Sequence, residues 1–90
     1  VSADGTIRGQ LRARLLDLSP AGALLLLDAP LAVGGIHDFA LDLAGSTLWV
    51  QGEVRHCRPA SRGTGHEVGI AFVGINPQDE RRLHAFLAKA

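Results

Sequence analysis

Between positions 6 and 16 apolar and small residues take the odd places, Ile7, Gly9, Leu11, Ala13 and Leu15, while Arg8, Gln10, Arg12 and Arg14 take the even ones. A period of two is the mark of a strand with one buried face, and it turns the arginines toward water. Asp4-Gly5 just ahead is a tight-turn pair. It predicts a hairpin whose other strand arrives from upstream; only residues 1–3 of that strand are present, so the first strand is expected to be truncated.

The run Asp17-Leu18-Ser19-Pro20-Ala21-Gly22 then breaks the alternation with turn-favouring residue types. Positions 23–27 are apolar throughout, as in a strand buried on both faces, and Asp28-Ala29-Pro30 ends them. Phe39, Leu41 and Leu43 alternate with Asp38, Ala40 and Asp42; beyond Ala44-Gly45-Ser46, Leu48, Val50 and Val54 alternate with Trp49, Gln51, Glu53 and Arg55. This predicts an antiparallel hairpin. A Gly-rich loop at 61–65 leads to a last strand with Val68, Ile70 and Phe72 on one face.

The chain ends in a predicted helix from 77 to about 89. Asn76 suits the cap, Pro77 the first helical position, and Asp79 and Glu80 the positive end of the helix dipole. Leu83, Phe86, Leu87 and Ala90 fall at helical spacing and form the packing stripe. The pattern therefore reads as one all-β domain over 1–90 with one C-terminal α-helix.

Composition narrows the function more than the fold. With 47% hydrophobic residues, the 90-residue chain fills one modest core. No apolar run approaches the roughly 18 residues of a membrane span, and no basic flank with an apolar stretch and cleavage site marks export. Cys57 is the only cysteine, which fits a reducing compartment, so a cytoplasmic location is expected. Nine basic residues balance nine acidic ones, against a general DNA or RNA binder; a nucleic-acid barrel would also need more than four aromatics for stacking. Three arginines within positions 8–14 still leave room for a small-anion site.

Catalytic and metal chemistry find little support. Ser19 lacks the flanking glycines of a nucleophile elbow, and Cys57 has no companion signature. His37, His56, His66 and His84 are scattered without zinc spacing and read as surface histidines. The candidate chemistry lies in Asp17, Ser19 and Gly22. A carboxylate accepts from the ring N–H and exocyclic amine of guanine, a hydroxyl adds a bond, and glycine lets backbone approach a ligand. The alternative is a turn in which Asp and Ser bond their own backbone. Trp49 reads either as a stacking or partner-anchoring residue or as packing beneath the helix.

Taken in order, these segments resemble the PilZ family over essentially the whole chain. The resemblance rests on the charged strand entering Asp17-Leu18-Ser19-Pro20-Ala21-Gly22, the apolar strand after it, and Gly52-Glu53-Val54-Arg55. Val68-Gly69-Ile70-Ala71-Phe72 and the closing helix complete it. It implies a small six-stranded antiparallel barrel, no catalysis and no cofactor. It also implies a binding site for the second messenger cyclic di-GMP, with Asp17, Ser19 and Gly22 at matched ligand positions. The signal is expected to pass to a protein partner or neighbouring domain. The family's Arg-x-x-x-Arg pair lies further upstream of the aspartate than Val1 does here, so that segment is expected to be missing.

Arg8 and Arg12 repeat the spacing on the strand itself, with Cα atoms about 13 Å apart, and Arg55 and Arg58 are further phosphate candidates. A second reading is a degenerate member of the family that has lost the nucleotide and serves protein interaction. An unpaired edge beside the truncated strand further predicts pairing with another copy.

Overall fold

The computed structural model describes residues 5–6, 12–43, 46–61 and 63–89; of residues 5, 6, 12, 13, 42 and 46 it describes the backbone only. In these residues the chain forms β1 (Gly5–Thr6), β2 (Arg12–Leu18), β3 (Gly22–Leu27), β4 (Ile36–Leu43), β5 (Ser46–Pro59), β6 (His66–Ile75) and α1 (Pro77–Ala88). All strands join one antiparallel sheet in the order β1-β2-β3-β6-β5-β4. Five strands make up its body. Among the described residues the first adds Gly5 opposite Ala13 and Thr6 opposite Arg12.

The expected six-stranded barrel is not formed. Cα atoms of β1 come within 8 Å of β4, but no ladder among the described residues joins the two, and the sheet stays open. Closure requires hydrogen bonding along both sides of every strand, and among the described residues the free sides of β1 and β4 carry no such pairing. The reading of positions 6–16 as a single strand is also corrected. Thr6 lies opposite Arg12 in an antiparallel pair, so the two belong to different strands, and Gly5 sits in a strand instead of a turn. An alternation of two carries on unbroken across a short reversal, which is why periodicity alone missed it. Asp4 lies outside the described residues.

Elsewhere the alternation maps onto burial with two departures: Ala40, expected to face outward with Asp38, is buried, and Phe72, expected inward, is only partly buried. Phe39, Leu41 and Leu43 of β4, Leu48, Val50 and Val54 of β5, and Val68 and Ile70 of β6 all face inward, where Leu15, Leu25 and Leu27 meet them. The outer face of β3 is different. Leu24 and Leu26 are half-buried, so this strand has one core face, not the two that an unbroken apolar run led us to expect.

Helix α1 starts as its sequence predicts: the Asn76 side chain accepts from the Asp79 N–H at 2.8 Å and Pro77 opens the first turn. Its apolar stripe closes the inner face. Leu83 is 1% exposed within the core, and Phe86 and Leu87 pack against it. Because the helix sits on the inner side, it covers neither Leu24 and Leu26 nor Trp49, which is 56% exposed. Among the described residues no helix is long and apolar enough to cross a membrane.

Leu83 is thus the main plug of an otherwise open sheet. Leu83→Ala is expected to lower stability by about 3 kcal/mol, from lost burial plus the cavity left behind. Urea unfolding checks this as a reduced midpoint at unchanged slope.

Candidate functional site

On the outer face, two single-residue insertions decide which side chains meet. In the β2–β3 ladder Leu15 pairs with Leu25 and Asp17 with Leu24, so Leu16 is extra. Without that bulge, alternation from the buried Leu15 would point Asp17 into the core; with it, Leu16 and Asp17 both face solvent. A second bulge interrupts the β5–β6 ladder. Val54 pairs with Ile70 and His56 with Gly69, so Arg55 is extra, and Arg55 and His56 are both exposed.

The register then aligns the two bulged segments. Asp17 lies opposite Leu24, Leu24 opposite Gly69, and Gly69 opposite His56, a row across four strands. Three strand spacings place its ends about 14 Å apart along the sheet. Between them lies an open groove of about 330 Å³ lined by Asp17, Ser19, Gly22, Arg55, His56 and Gly69, among others. Gly69 keeps the floor low. A Cβ there would run into the His56 imidazole, which therefore lies across the bare backbone with a ring available to a ligand.

Four of the six residues expected from sequence come together here: Asp17, Ser19, Gly22 and Arg55. Arg8 lies outside the described residues. The backbone of Arg12 sits at the start of β2, five residues before Asp17 and so about 16 Å away along the strand. His56 was passed over as an ordinary surface histidine. The available signal was Gly69, since a glycine inside a strand marks a place where something approaches the backbone closely.

The turn uses much of its own polarity. The Ser19 N–H donates to the Gly22 carbonyl at 2.9 Å; the Ser19 hydroxyl accepts from the Gly22 N–H at 3.2 Å and can donate to its carbonyl at 3.3 Å. The long hydroxyl contacts are weak ones. Asp17 Oδ1 accepts from the Leu18 N–H at 2.9 Å, and the other oxygen has no hydrogen bond among the described residues. Gly22 has a structural duty. It is buried opposite Ala71, and a Cβ on it would collide with the Ile70 carbonyl, so glycine lets β3 approach β6 instead of a ligand.

Two arginines stand on the outer side of β5, of which Arg55 lines the groove. Arg55 makes one ion-pair contact, Nη1 to Glu53 at 3.3 Å. Arg58 donates through Nε and Nη2 to one oxygen of Glu67, at 3.1 and 2.9 Å. Hydrogen bonding from Arg58 holds the Glu67 carboxyl below its ordinary value of 4.5 against the opposing effect of desolvation, with further help from Ser61. A second hollow, of about 420 Å³, lies elsewhere on the sheet, lined by Asp38, Trp49, Gln51, Gly74 and Asn76 among others.

The fold is thus an open antiparallel sheet plugged by one helix, with a largely apolar groove on its outer face that carries Asp17, Ser19, Arg55 and His56. The family model described as PilZ domain matches residues 2–89, and the chain belongs to the PilZ family. PilZ domains are non-catalytic regulatory modules. Compared with curated proteins and with solved structures, the chain has no significant match.

Because the obstacle to a side chain at position 22 is backbone, Gly22→Ala is expected to cost about 1–3 kcal/mol in urea unfolding. The Arg58–Glu67 pair gives a second expectation. A carboxyl lowered on folding contributes stability above its unfolded value and loses it as pH falls through the folded one. The stability gap between the native chain and Arg58→Ala is therefore flat above pH 4.5 and closes below it, as unfolding across an acid series would show.

Proposed function

We propose that this chain is a cyclic di-GMP-binding regulatory domain, non-catalytic, that acts in the cytoplasm by presenting a changed surface to a protein partner or neighbouring domain. The observation that carries the reading is the convergence of Asp17, Ser19, Gly22 and Arg55 on one groove, from segments nearly forty residues apart in the chain. The chemistry is complementary. Guanine offers two N–H donors along one edge, which the exposed Asp17 carboxylate accepts, and the Ser19 hydroxyl exchanges a weak turn contact for a ligand bond. Arg55 supplies the phosphate contact and the His56 ring a stacking surface.

Arg8 and Arg12 enter this reading as contacts to the far end of a ligand long enough to span the strand. Gly22 enters through the shape of the turn. Ligand binding changes the outer face most directly, and there the exposed Leu16 beside the half-buried Leu24 and Leu26 offers a surface for a partner to read.

A second reading, a PilZ module that has lost the nucleotide and serves protein interaction, draws support from Trp49. Over half of this tryptophan is exposed beside its own hollow, and tryptophan is enriched at interface centres.

Calorimetric titration with cyclic di-GMP separates the two. Binding at micromolar strength or tighter, weakened about tenfold each by Asp17→Ala and Arg55→Ala, is the expected result. Absence of heat with the native chain rejects the nucleotide reading and leaves the Trp49 surface as the functional one.

A further inference from the structure

The two arginines of β5 face the same side of the sheet, yet their partners hold them differently. Arg58, its side chain 68% exposed, makes two contacts, at 3.1 and 2.9 Å, to a carboxylate whose side chain is 14% exposed, so the better-held partner on β6 and the two-point geometry tie it down. Arg55 makes a single 3.3 Å contact, with the arginine side chain 64% and the glutamate 32% exposed. An exposed one-point pair of this kind exchanges readily with water and with other anions. Glu53 stands opposite Ala71, at the edge of the groove that Arg55 lines, but is not itself among the lining residues.

We infer that Glu53 is an internal competitor for Arg55: its carboxylate occupies the guanidinium in the free protein, and an anionic ligand must displace it to gain the phosphate contact. This rests on the reading of the groove as an anion-binding site. Glu53 then sets the threshold of the response, lowering affinity without touching the ligand. Arg55 becomes a phosphate contact on demand, whereas Arg58 remains tied to Glu67. The asymmetry follows from geometry. Both glutamates stand on the outer face, Glu67 and Ala71 being four residues apart on β6 with an unbroken register between them. Only Glu53 holds its arginine by one exposed contact at the groove.

The test is calorimetric titration of the intact chain at low salt, with cyclic di-GMP and, separately, with inorganic pyrophosphate. Glu53→Gln is expected to bind about three- to tenfold more tightly than the native chain, the gain being the release of an exposed pair together with one less repelling charge. Glu67→Gln makes the same change of charge on the same face and is expected to shift affinity by no more than about twofold. In an Arg55→Ala background the gain from Glu53→Gln should vanish, since no guanidinium is left to compete for. Circular dichroism of each variant confirms folding.

No tightening in Glu53→Gln overturns the inference, as does an equal gain from Glu67→Gln or a gain that survives Arg55→Ala. The pattern seen with pyrophosphate alone supports the competitor and rejects the cyclic di-GMP reading. Binding of neither probe by native or Glu53→Gln chains rejects both.

Discussion

Side chains on a strand alternate between faces, and this sheet departs from that rule at two residues on which its outer surface depends. Leu15 is committed to the core, so strict alternation would send Asp17 after it, placing a carboxylate among leucines and valines at a cost of several kcal/mol. The extra residue at Leu16 resets the count and turns Asp17 out. Arg55 does the same for β5, where Val54 is buried and both following residues are polar. With β3 and β6 held in regular register between them, the two irregular segments end on the same row. The groove is thus a product of these two insertions; a further irregularity in the β5–β6 ladder, where Val73 is extra, lies outside it.

The floor depends on small residues. Gly22 allows β3 to lie against the Ile70 carbonyl, and Gly69 leaves the space that the His56 ring occupies. Gly22 opens β3 and Gly69 lies inside β6; each costs backbone entropy, and neither position has room for a side chain. What remains is a shallow, open site whose charged groups stay in water. Such a site gains little from any single ion pair, so its selectivity must come from several weak contacts made together. That favours an extended ligand with both hydrogen-bonding and anionic parts over a simple ion.

Much of the architecture was legible in the chain. Inward positions of β4, β5 and β6 follow from hydrophobic alternation, and α1 from its cap, its proline and its leucine stripe, because burial and local hydrogen bonding both act over a few residues. Asp17, Ser19 and Gly22 stood out as a turn with useful chemistry, and Arg55 as a charged residue on the outward register. Less could be read near β1, where one alternation ran unbroken through a reversal, and on β3, whose apolar outer face looks the same in sequence as a second core face.

Sequence by itself determined the strand faces, the helix with its cap, and the residue types available for recognition, since each depends on near neighbours along the chain. Only the tertiary structure decided that the sheet stays open, that Trp49 is left uncovered, that Ser19 closes its own turn, and that His56 joins Asp17 across four strands. These outcomes depend on register and bulges, which are set by pairing between distant segments. A one-residue slip there leaves composition and periodicity almost unchanged while moving every affected side chain to the other face.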